Sequence, residues 1–241
     1  EVLTKKINTL FTPQGNVVST ETYQYDSMNR IIKTTQANSA NGIIEKTMTY
    51  PMASTHPGLV NKNMVSTVIE TLTKQNNQET EKVKNIYASN DILPASIQTS
   101  SGTLRGVVKF DGYNSLGNIL GYTGIDNVST TYVWGYKGNY PIAEIKNAKY
   151  SDVSSKINFN TYFNKTTLSD TDINQLMSLQ TSLPGSQVTV YTYKPLIGIT
   201  SITDPKGFRT YFDYDSFGRL KETYFKEGSV KRIIEAYKYN Y

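Results

Sequence analysis

The sequence predicts a mainly β protein: an antiparallel ribbon of β-hairpins, twisted or partly closed, with a short helical insertion near 151–182. Three observations carry this expectation. Short alternating runs rich in Tyr and Thr recur along almost the whole chain. Turn-forming clusters separate them. One stretch alone lengthens its period toward that of a helix.

The composition supports sheets with one wet face. The chain has 241 residues, enough for one large β domain or two smaller ones. Hydrophobic residues are only 37%, and much of the apolar area comes from 19 Tyr, 8 Phe and one Trp. Tyr and Thr suit pleated, half-exposed surfaces. The net charge is +5, but the basic pairs, Lys5-Lys6 and Lys231-Arg232, are short and scattered. A nucleic-acid surface needs a basic cluster or stripe, so none is expected here. The absence of cysteine excludes disulfides, zinc–thiolate sites and thiol nucleophiles. No apolar run approaches the ~20 residues of a membrane helix. "EVLTKKINTL" opens on a strand-like pattern without Met, as a piece of a longer protein would.

Along the chain, "ETYQY" (21–25) puts Tyr23 and Tyr25 on one strand face, and "VTVYTY" (188–193) does so with Tyr191 and Tyr193. "EAYKYNY" (235–241) aligns Tyr237, Tyr239 and Tyr241. Turns are expected at Asn41-Gly42, Ser101-Gly102, Asp204-Pro205-Lys206-Gly207 and Glu227-Gly228-Ser229. About fifteen strands follow from these signals. In the insertion, "YSDVSSKINF" predicts a short helix capped at Ser151. "LSDTDINQLMSLQTSLPG" predicts another, with Ser169 as N-cap and Asp170 and Asp172 in its first turn. Ile173, Leu176, Met177 and Gln180 make its apolar stripe, and Pro184-Gly185 stops it. A helical hairpin packed on an edge or end of the sheet is expected. Residues 1–150 and 183–241 then read as repeat segments of one continuous domain.

Three segments share one pattern. They are Tyr25-Asp26-Ser27-Met28-Asn29-Arg30-Ile31, Tyr113-Asn114-Ser115-Leu116-Gly117-Asn118-Ile119 and Tyr214-Asp215-Ser216-Phe217-Gly218-Arg219-Leu220. Asp or Asn bonds the backbone two residues on and starts a turn. Gly or Asn fits the left-handed position. The apolar residue is expected to tuck beneath the turn. Because Asn replaces the acid at 114, Asp215 reads as a turn residue, and Asp213 as an ordinary strand position.

On these residues the chain resembles the YD-repeat, or RHS-type, family. "YDSFGRLKET" (214–223) matches the family signature fully and "YDSMNRIIKT" (25–34) nearly so. "YVWGYKGNYPIAEIKNA" (132–148) and "YKPLIGITSITDPKGFRTYFDYDSFGRLKE" (193–222) are similar to stretches of large YD-repeat proteins of Bacteroidetes-type bacteria. The resemblance implies long hairpins laid side by side in a twisting ribbon, which in complete family members spirals into a hollow shell. It implies a non-enzymatic structural or interaction module of a large secreted or cell-surface protein, for scaffolding, adhesion or enclosure. The expected partners are the remainder of that parent protein and carbohydrate or another protein, and an excised ribbon is expected to dimerise through an edge or a face. The family's repeats lie closer together than the three segments here, and its "ARYYDP"-like core motif is absent. Self-cleavage and toxin release are therefore not carried over.

Signals for chemistry are sparse, and neither cofactor nor metal is expected. The single histidine, His56 in "ASTHPGL", reads as a loop residue. There is no Gly-x-Ser-x-Gly elbow, P-loop or calcium loop. Asp213 and Asp215 share a strand face and would suit a glycosidase needing carboxylates about 5–9 Å apart, a weak alternative. The densest aromatic group is Tyr132, Trp134, Tyr136 and Tyr140. In a strand 132, 134 and 136 share a face, which would stack on sugar rings as a carbohydrate-binding module. The competing reading places that face in the core.

Overall fold

A computed structural model describes residues 2–38, 42–102 and 104–239. Asn41 and Tyr241, from the predicted turn and tyrosine row, lie outside the described residues. The fold is mainly β, as expected. Among the described residues, sixteen antiparallel strands hydrogen-bond in chain order, from β1 (Lys5–Thr12) to β16 (Val230–Ala236), in an open sheet. The chain divides into two compact units, Glu1–Lys109 and Phe110–Tyr241.

The first unit contains β1, β2 (Gly15–Tyr25), β3 (Ile31–Asn38), β4 (Gly42–Thr49), β5 (Glu70–Gln75), β6 (Gln78–Ile86), β7 (Ser96–Ser101) and the first part of β8 (Leu104–Tyr113), with the short helix α1 (Pro57–Asn61). Its strands are half-exposed, in keeping with wet faces. Glu70, for example, receives Lys82 at 3.0 Å from β6. Asn76 and Asn77 make the two-residue β5–β6 turn with φ of 50° and 68°, the conformation that favours Asn there. Leu59 and Ile69 are its buried apolar side chains among the described residues.

The second unit holds the main core. β9 (Ile119–Thr123), β10 (Ser129–Gly135) and β11 (Tyr140–Lys146) precede the insertion. β12 (Gln187–Lys194), β13 (Gly198–Thr203), β14 (Arg209–Tyr214), β15 (Leu220–Glu227) and β16 follow it. The insertion folds as α2 (Tyr150–Ser154), α3 (Asn160–Phe163), α4 (Asp170–Met177) and α5 (Leu179–Ser182). Two rows cross the sheet in register, Thr131–Ile145–Val188 and Val133–Ala143–Val190. The apolar members of these rows form one buried cluster with Val153, Tyr162, Ile173, Leu176 and Leu179 from the helices. The insertion therefore covers the face of β10–β12, not an edge or end. The reason is topological: it leaves β11 and returns into its neighbour β12, over the most apolar rows of the sheet.

Helix starts follow local chemistry unevenly. Ser169 caps α4 in a full capping box: its Oγ accepts the Asp172 N–H at 3.2 Å and Asp172 Oδ2 accepts the Ser169 N–H at 2.9 Å. Burial alone would raise the Asp172 carboxyl, but Lys165 at 2.7 Å and the Ser169 donors outweigh it and hold it below the usual range. Ser151, in contrast, is no cap; Lys149 holds that position without a side-chain bond, because the helix begins at Tyr150, two residues earlier than a Ser151 cap requires. The stripe also breaks at Ser178, so Gln180 falls in α5, where its amide donates to the Pro205 carbonyl and accepts the Val188 N–H. Ser169→Ala is expected to cost about 1 kcal/mol, read from the denaturant midpoint.

Candidate functional site

The shared heptads build one turn. Oδ1 of Asp26 accepts the N–H groups of Met28 and Arg30 at 2.9 and 3.0 Å. Asp215 treats Phe217 and Arg219 in the same way, and Asn114 treats Leu116 and Asn118 so. The backbone closes behind each, with the N–H of the first residue donating to the carbonyl four residues on. Asn29, Gly117 and Gly218 take the left-handed position, at φ of 58°, 83° and 75°. Tyr25 and Tyr214 tie their turns to neighbouring backbone through hydroxyl bonds to the carbonyls of Leu3, just before β1, and Ile199 on β13, at 2.7 and 2.8 Å. The Tyr113 ring instead packs 5.7 Å from Phe110.

In two of the turns the outer oxygen grips an arginine. Arg30 donates Nε to Asp26 Oδ2 at 2.6 Å, and Arg219 donates Nε to Asp215 Oδ2 at 2.8 Å, each with a second contact from its guanidinium. The guanidinium then lies over an aromatic ring: Tyr50 at 4.5 Å for Arg30, Tyr239 at 4.3 Å for Arg219. The backbone N–H of the arginine, foremost, and its guanidinium hold both carboxyls below the usual range. One expectation is corrected. Met28, Leu116 and Phe217 do not tuck beneath their turns but stand exposed. Their N–H groups turn inward to the Asp or Asn oxygen, which swings the side chains out.

Two further copies lie outside the three heptads: one at the turn expected at Asp204–Gly207, whose likeness to them was not read, and one that was not anticipated. Asp204 accepts Lys206 and Phe208 N–H groups at 2.9 and 2.8 Å, with Gly207 at φ 82°. Gly124–Val128 closes the same backbone turn with Asn127 at φ 63°, its acid moved to Asp126. The signal was Asp, or a Gly-x-Asp, before a Gly or Asn, without the flanking Tyr and Arg.

The four aromatics fall into two groups. Tyr132 and Trp134 alternate along β10 with buried Thr131 and Val133, their rings 6.5 Å apart, and Tyr122 stacks on Tyr132 at 6.3 Å. Burial, with Tyr122 and Glu144 nearby, pushes the Tyr132 hydroxyl up to about 12. Trp134 is half-buried and donates Nε1 to the Ile119 carbonyl at 2.8 Å. Tyr136 does not continue this face. β10 ends at Gly135, and Tyr136 and Lys137 take φ of 53° and 58°, which carries the Tyr136 ring into the core. There it meets Tyr140 and Tyr193 edge-on at 5.5 and 5.6 Å, and its hydroxyl accepts the Tyr193 N–H. Beside Trp134 opens a cavity of about 310 Å³, walled also by Asn114, Leu120, Tyr150, Phe159 and Phe163.

Asp213 and Asp215 have separate partners. Asp213 sits across from Glu222, and Lys231 bridges the two at 2.8 and 2.7 Å. His56 lies beside Thr55, 2.9 Å from its hydroxyl, just before α1. Among the described residues, no three His, Cys, Asp or Glu cluster as a metal site would need, and no helix is long and apolar enough to cross a membrane.

No family model matches the chain, and no curated protein does. The chain is similar to several solved structures. The chain is 14% identical to a TcdB2-TccC3-TEV structure over 91% of its own length and 8% of that chain, with a TM-score of 0.37. A TcdB2-TccC3-Cdc42 structure gives 10% identity, 97% and 12% coverage and a TM-score of 0.31. A Tc holotoxin pore from Photorhabdus luminescens gives 13%, 98%, 12% and 0.33. The chain thus spans only a small part of each.

Proposed function

We propose that this chain is a structural segment of a large secreted or surface-anchored bacterial YD-repeat protein. It is a stretch of sheet wall, without catalysis of its own, that further strands extend toward a scaffold or enclosure. The supporting observation is the condition of its two end strands. β1 pairs only with β2, and β16 only with β15, among the described residues. Both carry exposed apolar side chains: Ile7, Leu10 and Phe11 on β1, and Val230, Ile233 and Ile234 on β16. Free-standing edges are normally blunted by charge, proline or a bulge. These edges also carry charges, Lys5 and Lys6 on β1 and Lys231, Arg232 and Glu235 on β16, but their exposed apolar side chains suit strands that gain neighbours. The clamped turns fit the same role, since each sets a hairpin without a long loop.

The edge can be blocked selectively. The Tyr23 N–H donates to the Thr4 carbonyl, and Thr12 pairs with Gly15 around the β1–β2 turn. Even-numbered residues of β1 therefore bond to β2, and Thr9 directs its N–H outward. Thr9→Pro removes an outward donor while leaving the β1–β2 ladder intact. In light scattering the chain is expected to associate with rising concentration, and Thr9→Pro to associate less. A chain monomeric at every concentration would count against the wall reading.

A further inference from the structure

One apolar row of the core changes character beyond β12. Val133–Ala143–Val190 continues in register through Thr203 to Arg209. Two residues along each strand, the next row is Thr192–Ser201–Tyr211. The face that is apolar on β10–β12 thus turns polar on β13 and β14. There a second cavity, of about 290 Å³, opens beside the start of α4. Tyr136, Leu168, Ile173 and Tyr193 make its apolar side. Thr167, Thr192, Thr200 and Ser201 bring hydroxyls, and Tyr211 adds a phenol. The Thr192 hydroxyl lies 2.8 Å from that of Thr200 and 2.7 Å from that of Ser201, so these groups bond among themselves. The charged residues on the wall are Arg209 and Asp170.

Arg209 is not held as the turn arginines are. Arg30 and Arg219 each make two contacts with a half-buried aspartate. The Arg209 side chain is 19% exposed, but that of its partner Asp170 is 83% exposed, and they meet through one contact, Nη1 to Oδ1 at 2.6 Å. Nε donates to Thr203 Oγ1 at 3.0 Å, and the Tyr211 hydroxyl also accepts from the guanidinium. Three acceptors thus serve five N–H donors. An exposed partner offsets little of the cost of enclosing a cation. A carboxylate inside the cavity is the better match, because the planar fork takes it through two parallel bonds. We infer that this cavity binds a small organic carboxylate, which replaces Asp170 on Arg209 while its apolar body lies against Leu168 and Tyr193. Asp170 is then a competitor built into the chain. Arg209 is the one cation on this wall among the described residues, which suits a monoanion over a phosphate dianion; Lys226 stands 4.8 Å over the Tyr211 ring instead.

Titration calorimetry on the whole chain can use benzoate, its neutral match benzamide, and inorganic phosphate. Benzoate is expected to bind saturably and to shift the Arg209 Nε–H resonance. Benzamide is expected to bind about tenfold or more weakly, and phosphate more weakly than benzoate. Asp170→Asn alters an exposed side chain and removes the competing carboxylate, so it should bind benzoate about two- to fivefold more tightly. Arg209→Gln, with its melting temperature confirmed near that of the wild type, should lose benzoate binding. If Arg209→Gln does not fold, the direction of the Asp170→Asn effect decides alone. Absent benzoate binding, equal binding of benzamide, tighter binding of phosphate, or benzoate binding unchanged or weakened in Asp170→Asn each overturns the inference.

Discussion

Leu176→Ala is expected to lower the unfolding free energy by about 2–5 kcal/mol, the range for a core leucine whose cavity cannot fully collapse. Leu176 has no solvent exposure and lies in the cluster formed by β10–β12 and the helical insertion. That cluster is the main apolar core among the described residues, since the first unit buries little beyond Leu59 and Ile69. Losing the leucine should therefore weaken the helical cover and the central strands together. A denaturant series supplies two internal comparisons. Ser169→Ala, at the start of the same helix, should cost less, about 1 kcal/mol. Leu196→Ala, at a hairpin tip where the side chain is 96% exposed, should cost under about 0.5 kcal/mol. If Leu176→Ala fell within the range of Leu196→Ala, the helices would not be anchored by this core.

The readable parts of the sequence were those set by neighbours within a few residues. Tyr/Thr alternation marks half-buried strands because each residue's face follows from the one before. Ser169 with Asp172 marks a helix start because both bonds span three residues. The turns at 26, 114 and 215 were legible for the same reason, but not the arginine grip on two of them. What was not legible depends on distant partners. Tyr136 leaves the strand because its N–H donates to the Lys165 carbonyl at 2.6 Å and its hydroxyl takes the Tyr193 N–H, contacts made with segments far along the chain. Nothing near 136 announces them, so a strand reading put it on the wrong face. The insertion was placed at an edge because its own stripe says that it packs, but not on what. That needs the register of β10, β11 and β12. The cavity beside Trp134 escaped for a related reason: its walls come from a turn, two strands and two helices, joined only by the fold.

Acidification is expected to loosen the β2–β3 and β14–β15 hairpins, while the Asn114 turn keeps its geometry. Asp26 and Asp215 titrate below the ordinary carboxylate value because their charged forms accept the backbone N–H of Arg30 or Arg219, and then the guanidinium. A carboxyl lowered on folding contributes its stabilisation in full above its unfolded value, near about 3.9. The contribution fades as pH falls through the lowered folded value. Asn114 has no proton to gain, and so it is the control within the same chain. Substitution separates the two parts of the clamp. Asp215→Asn retains the Oδ1 acceptor that Asn114 uses, but loses the ion pair with Arg219. Asp215→Ala loses both, leaving the Phe217 and Arg219 N–H groups without their turn acceptor. The expected order of melting temperatures is wild type, then Asn, then Ala lower by roughly several degrees. Protection of the Asp215 and Gly218 backbone amides, relative to their intrinsic exchange rate at each pH, should fall with acid in the wild type and lose that dependence in Asp215→Asn. If Asn proves as damaging as Ala, the arginine grip and not the turn holds the hairpin, and the interchangeability of Asp and Asn across the repeat would need another cause. If Asn is nearly silent, the turn is the structural element, and the arginine is the part of the clamp that a repeat can replace.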